Sequence, residues 1–224
     1  MELRFERKYT LPGDRARDLE LFLKLHPEVV RRAYPPRWIN SVYLDTPDFA
    51  DYHRHVEGAS KRSKLRVRWY GELEGEVKSA HLEAKLKLNH QNTKRRARLP
   101  DGRLSLASLP GQVGNWLRAL ENSDPLKPLT LNVAPVTLVR YHRRYFRVAG
   151  CDCRITMDSS MTWYGPGPGG ASFRRSGGAG NVVVELKYPT HPPEGLIADL
   201  TDRFPVRNTR YSKYLHALRA SFPW

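Results

Sequence analysis

The sequence predicts an α+β fold built on an antiparallel sheet whose polar and apolar faces are sharply separated. Three observations predict it. Segment after segment alternates charged with apolar side chains, as the two faces of a strand require. The clearest is Lys64 to Gly71, where Leu65, Val67 and Trp69 oppose Lys64, Arg66 and Arg68. Short stretches with helical spacing of leucines stand among these segments, and Pro, Gly and Asp punctuate them. One such strand is an ordinary half-exposed strand with its bases in water. Several as neighbours set like charges opposite one another, which is destabilising unless something compensates. In a flat sheet water does so. A sheet curved into a barrel instead makes a polar tunnel, with the apolar faces turned outward beneath helices.

Taken in order, Leu3 to Leu11 reads as the first strand, with Phe5, Tyr9 and Leu11 opposing Arg4, Glu6, Lys8 and Thr10. Pro12 and Gly13 end it, and Asp14 can cap a helix that carries Leu19, Phe22 and Leu23 inward and closes before Pro27. Ser41 to Asp45 is a second strand, and Thr46-Pro47-Asp48 a turn leading into a helical stretch through Tyr52. After the central strand, His81 to Asn89 repeats the partition, Leu82, Ala84, Leu86 and Leu88 against Glu83, Lys85 and Lys87. Lys94, Arg95, Arg96 and Arg98 form either a solvated basic edge or a second phosphate-facing strand. Pro100 to Pro110 is rich in turn formers, and Val113 to Leu120 is an amphipathic helix.

Val136 to Val148 is a long β-type run in which Tyr141, Arg143 and Tyr145 share one face and Arg140, His142 and Arg144 the other, so its inward face is undetermined. In Asp152 to Asp158, Arg154, Thr156 and Asp158 oppose Cys153, Ile155 and Met157. Gly165 to Gly180, with Arg174 and Arg175, reads as a mobile hairpin loop; it has neither the strand-then-helix setting nor the Gly-Lys-Ser/Thr ending of a P-loop. Asn181 to Tyr188 is the last strand, with Val183, Glu185 and Lys187 on one face. Helices over Pro192 to Phe204 and Tyr211 to Ala220 complete the chain, the last carrying Lys213.

The chain has 224 residues, enough for one domain with a sizeable core, and a single folded unit over 1–224 is expected. Its formal net charge of +15 exceeds what solubility asks for and points to a polyanionic partner. Cys151 and Cys153, one residue apart, suit neither an ordinary disulfide nor a four-ligand zinc site, and read as buried thiols in a reducing compartment. No apolar run reaches the roughly 18 residues of a membrane span, and charges occupy the N-terminus where a signal peptide has its apolar core, so the expected location is cytoplasmic. Nucleic acid is disfavoured as the partner, because no RNA-binding motif occurs and aromatics do not alternate with bases as a stacking platform needs.

Collected on the charged faces, with Arg143 added, are the bases Arg4, Lys8, Arg66, Arg68, Lys85, Lys87, Arg143, Arg154 and Lys187 and the acids Glu6, Glu83, Asp158 and Glu185. Arginine grips phosphate oxygens in a two-pronged fashion and lysine supplies a point charge. Carboxylates among them can hold a hard divalent cation that bridges to phosphate, or can serve as structural ion-pair partners.

Seven segments in order, Arg4 to Tyr9, Ser41 to Thr46, Lys64 to Gly71, Leu82 to Lys85, Arg154 to Asp158, Val184 to Tyr188 and Tyr211 to Tyr214, resemble the VTC domain. This is the polyphosphate-polymerase domain of the vacuolar transporter chaperone family, within the triphosphate tunnel metalloenzyme (CYTH-like) superfamily. The resemblance implies an eight-stranded antiparallel β-barrel tunnel with helices packed outside. It implies binding of ATP or another triphosphate with Mn2+ or Mg2+, and transfer of the terminal phosphoryl group to growing polyphosphate. Carried over by position, Lys8, Arg66, Arg68, Lys85, Arg143, Arg154 and Lys213 resemble the catalytic phosphate-binding bases. Glu185, joined by Asp158 or Glu6, resembles the metal site, and Arg4, Lys87, Lys187, Lys94 and Arg96 add substrate-binding bases.

Two departures qualify this. The hydrolytic branch of the superfamily opens with Glu-x-Glu-x-Lys, whereas this chain has Arg4-x-Glu6-x-Lys8, which argues against simple triphosphatases. The sensing domain and membrane helices of the eukaryotic polymerase complexes are not expected in this chain. An inorganic or nucleoside triphosphatase and a non-catalytic polyphosphate-binding module remain alternatives.

Overall fold

A computed structural model describes residues 4–26, 30–88, 91–202 and 208–222. Eleven strands occur among them: β1 (Arg4–Leu11), β2 (Val30–Asp45), β3 (Lys61–Tyr70), β4 (Gly75–Val77), β5 (His81–Leu88), β6 (Gln91–Arg98), β7 (Gly102–Leu104), β8 (Ala134–Val148), β9 (Arg154–Pro166), β10 (Phe173–Ala179) and β11 (Val182–Pro189). The helices are α1 (Ala16–Leu25), α2 (Ala50–Val56), α3 (Leu109–Arg118), α4 (Leu196–Asp202) and α5 (Lys213–Ser221). Eight strands form one hydrogen-bonded path, β1-β11-β9-β8-β2-β3-β5-β6, with β10 beside β9, while β4 and β7 pair separately. The pairs β1–β11, β11–β9, β2–β3, β3–β5, β4–β7 and β5–β6 are all antiparallel. The path ends at β1 and β6, and no pairing between those two occurs among the described residues.

The chain divides into two compact units, one of residues 1–37, 141–161 and 179–212, the other of 38–140, 162–178 and 213–224. In the first, the apolar faces of β1, β9 and β11 (Tyr9, Leu11, Ile155, Met157, Val184, Leu186) bury against Leu19 and Leu23 of α1 and Leu196, Ile197 and Leu200 of α4. Burial contributes roughly 1.5–3 kcal/mol for each fully buried leucine. The i, i+4 spacing of Leu19 and Leu23 puts both on one helix face, as expected. The anticipated cap is replaced by a 3-10 turn at Gly13–Arg15, in which the Asp14 carboxylate accepts from the Arg15 N–H at 3.0 Å. In the second unit, Leu65, Val67 and Trp69 of β3 and Leu82 and Ala84 of β5 pack with Val113, Trp116 and Leu117 of α3. Apolar faces under helices thus occur in each unit.

Several elements differ from the sequence reading. β2 begins eleven residues before Ser41, because Tyr34-Pro35-Pro36-Arg37 extends the chain without looking like an alternating strand. The turn-rich segment contains β7, whose register sets Gly102 opposite Val77 of β4. The Gly-rich loop is a true hairpin: β9 continues to Pro166 and β10 returns beside it, anchored by buried Phe173. Cys151 and Cys153 are joined as a disulfide, with Cα atoms 5.1 Å apart. They lie in the turn before β9 rather than along a strand, so the chain curls and brings the sulfurs together. α4 begins at Leu196, later than Pro192, and the expected continuation to Phe204 lies outside the described residues. No helix among the described residues is long and apolar enough to cross a membrane.

Candidate phosphate-binding site

In the first unit the register of three strands assembles a polar face in rows. Glu6, Lys187 and Arg154 form one row, Lys8, Glu185 and Thr156 the next, and Thr10, Val183 and Asp158 the third. The Lys8 ammonium lies 3.0 Å from Glu6 and 3.9 Å from Glu185, and donates to the Tyr211 carbonyl at 3.2 Å. Lys187 lies 3.7 Å from Glu6 and 3.6 Å from Glu185. Two carboxylates and two ammonium groups therefore interleave. Arg143, whose face the sequence left undetermined, reaches from β8 to this side and donates to Asp158 through both Nε (2.5 Å) and Nη2 (2.7 Å). The opposite face of β8 is fixed by Phe146 and Val148 in the apolar cluster and by Arg144 bonded to Glu20 of α1.

The three acids are not equivalent. Asp158 is sealed from solvent and held by the Arg143 fork. Burial pushes the Arg143 guanidinium down, but Asp158, and further off Glu185, hold it well above its ordinary value. Glu185 faces Lys8, Arg143 and Lys187 at 3.6–3.9 Å, which are ion-pair rather than hydrogen-bond lengths. Arg154 is half exposed and turned to Asp152 at 3.2 Å. Arg4 opens β1, and its side chain lies outside those described.

The second unit holds another basic face. Arg66 forks onto Glu83 through Nε (2.9 Å) and Nη2 (2.7 Å), Lys94 bonds the other carboxylate oxygen at 2.8 Å, and Arg68 stands 3.5 Å away. Arg68 also donates to the Ser41 hydroxyl at 3.1 Å. Burial pushes the Glu83 carboxyl up, but Arg66, Arg68 and Lys94 outweigh it and hold the group well below the usual carboxylate range. Lys64, Lys85 and Lys94 stand directly opposite one another across β3, β5 and β6. Lys87 pairs with Arg62, and exposed Arg96 with Glu83. β6 is thus a strand that continues the basic face, and it also ends the sheet path. Lys213 is buried at the start of α5, where Tyr214 bonds Asp45 and stacks on Tyr43 at 5.1 Å between centroids.

Sequence reasoning placed Glu83 among the charged-face acids, as a cation ligand or an ion-pair partner, and assigned no role to Ser41 or Asp45; the structure makes Glu83 the ion-pair partner of Arg66, Arg68 and Lys94. Asp45 accepts from the backbone N–H groups of Asp51 (3.0 Å) and Tyr52 (3.0 Å), so it ties the start of α2 to Tyr214. A signal for Glu83 was present, a lone acid among bases on an alternating strand; its three partners depend on register.

Among the described residues, no group of three or more His, Cys, Asp or Glu is placed to hold a metal ion, so Glu6, Asp158 and Glu185 do not form one three-carboxylate cluster. Glu6 and Glu185 nonetheless share Lys8 and Lys187, and both offer hard oxygen donors. That set fits a divalent cation that arrives with phosphate, since Mg2+ commonly takes one or two carboxylates and completes its shell with phosphate oxygens and water.

The family model of the VTC domain matches residues 3–222. The chain belongs to the VTC-domain family. No curated protein matches it in sequence. Solved structures similar to this VTC domain include a candidate adenylate cyclase from Bacillus halodurans, with 13% identity, 96% of each chain covered and a TM-score of 0.55. A second, from Vibrio parahaemolyticus, has 12% identity, 95% of this chain and 96% of that one covered, and a TM-score of 0.52. A third is HpAC1 from Hippeastrum, a candidate adenylyl cyclase described as having a dominant triphosphatase activity, at 16% identity, 97% and 96% coverage and a TM-score of 0.53. At these identities the likeness is one of fold.

Proposed function

We propose that this VTC domain is a divalent-metal-dependent phosphotransferase that takes the terminal phosphoryl group of ATP or another triphosphate and adds it to polyphosphate. The observation that carries the reading is Glu185, set among Lys8, Arg143 and Lys187 at 3.6–3.9 Å, with Glu6 on the same two lysines. Family membership supports the remainder, including closure of the sheet into a tunnel. Phosphoryl transfer needs positioning and charge neutralisation more than covalent help from the protein.

Arg143, kept charged and aimed by Asp158, grips one phosphate, and Arg154 and Lys187 a neighbouring one. Lys8 neutralises charge on the attacking and leaving oxygens. Glu185 and Glu6 hold the cation, which when bound supplies charge neutralisation to the transferred group. Asp158 we assign to positioning Arg143. In the second unit Arg66, Arg68, Lys85, Lys87, Lys94, Arg96 and Lys213 bind the anionic chain, with Glu83 keeping Arg66 and Arg68 in place until phosphate arrives.

Incubation of the pure protein with ATP and Mn2+, resolved on a gel stained for polyphosphate, tests this. The expected result is a ladder. Free phosphate without a ladder supports instead the triphosphatase, a reading favoured by the activity described for HpAC1. Binding of polyphosphate with no turnover under Mn2+ or Mg2+ would leave a non-catalytic module.

A further inference from the structure

We infer that Thr156 is a positioning residue. Its hydroxyl donates to the Glu185 carboxylate once phosphate has drawn Lys8 and Lys187 away, and so aims that carboxylate at the cation. This rests on the proposed function above.

The Thr156 hydroxyl oxygen is sealed from solvent and has no hydrogen-bond partner. A hydroxyl buried in this way costs stability, and in a functional protein such an atom calls for an explanation. Three other buried polar atoms among the described residues share the condition, on His81, Trp116 and Asn181. Thr156 differs from them in its place: it stands directly across from Glu185, itself across from Lys8. Side chains paired in this way across antiparallel strands have Cβ atoms about 4.5–5.5 Å apart. Arg154 and Asp158 flank Thr156 on the same face of β9, and Asp158 is already held by the Arg143 fork.

With its hydroxyl shut off from solvent, Thr156 is placed to act through a neighbour. Glu185 is the neighbour with work to do. With lysines close by, its charge is balanced by Lys8, Lys187 and Arg143. When phosphate oxygens take the two ammonium groups, the carboxylate loses those partners. A hydrogen bond from Thr156 then fixes its orientation, as outer-shell groups do for ligating carboxylates. The hydroxyl without a partner is thus a donor reserved for the loaded state.

Thr156→Val keeps the shape and removes the donor; Thr156→Ser keeps the donor. Mn2+ binding in the presence of tripolyphosphate, followed by electron paramagnetic resonance, is expected to weaken about 10-fold or more in Thr156→Val and to return in Thr156→Ser. Tripolyphosphate binding without metal stays unchanged, and Thr156→Val melts no lower than the unaltered protein. In a Glu185→Gln background Thr156→Val has no further effect on Mn2+. Unchanged Mn2+ affinity in Thr156→Val, an equal loss in the Glu185→Gln background, weakened metal-free binding or a lowered melting temperature each overturns the assignment. If the unaltered protein binds neither Mn2+ nor tripolyphosphate, the proposed function itself fails, and Thr156's role with it.

Discussion

Glu83 shows how one acid can organise several bases. It is almost fully buried, and removing it leaves Arg66, Arg68 and Lys94 without their common counter-charge. Breaking a buried ion pair from one side typically costs on the order of 3–5 kcal/mol. Glu83→Gln is therefore expected to lower the urea midpoint markedly, and added tripolyphosphate should recover more stability in the variant than in the unaltered protein. A midpoint shift equal to that of an exposed Glu→Gln change would contradict the account.

His55 makes a second prediction at the same scale. Burial, with Lys64 and Arg62 nearby, pushes its imidazole down from 6.5 to about 4. Its Nε2 lies 2.8 Å from the Ser63 carbonyl, so the neutral ring carries its proton there. A depressed folded value means the unfolded chain binds the proton first. The contribution is present above about pH 6.5 and is lost as pH falls toward about 4. Urea unfolding between pH 7 and pH 4 should show this slope, and His55→Gln should flatten it; an unaltered slope in the variant removes His55 as the cause.

Among elements, α5, which opens with Lys213, is held tightly at its other end. A side chain at Gly165 in β9 would meet the Ser221 Cβ at 2.6 Å and its Cα at 3.3 Å, so the last turn of α5 sits directly on the strand. Overpacking of this kind costs roughly 1–3 kcal/mol. Gly165→Ala is expected to lower the melting temperature and weaken tripolyphosphate binding through α5; a variant that matches the unaltered protein in both would show the contact to be slack.

The elements also show what could be read from sequence. Strict alternation made β1, β3, β5, β9 and β11 legible, because each buries one face and period 2 is the direct record of that. The leucine spacing of α1 and the amphipathic α3 were legible for the same reason. β4, β7 and β10 were not, since three-residue strands and a Gly-rich strand carry little alternation and owe their existence to neighbours. The Cys151–Cys153 bond depended on a turn geometry that spacing alone does not state. Of the candidate site, the bases could be named. Their grouping could not, because Glu83 opposite Arg66 and the Arg143–Asp158 fork depend on how neighbouring strands align, and Glu185 opposite Lys8 joins strands distant in sequence.

At the scale of the whole molecule, the net charge of +15 makes anion binding steep in salt. Tripolyphosphate at about 100 times the dissociation constant it has in low salt should raise stability there by about 2.7 kcal/mol, and at that same concentration the gain should shrink as ionic strength rises. A gain independent of salt would mean that the basic faces do not carry the binding. The same charge was legible from composition, and named the partner only as a polyanion; the proposed function takes that polyanion to be a phosphate chain.

The central claim is that Glu185 serves the cation and the surrounding bases serve phosphate. The most direct test measures ATP turnover with Mn2+ alongside tripolyphosphate binding, for the unaltered protein and for Glu185→Gln. In Glu185→Gln turnover is expected to fall about 100-fold or more, with binding kept within a few-fold. Full turnover in Glu185→Gln would contradict the central claim.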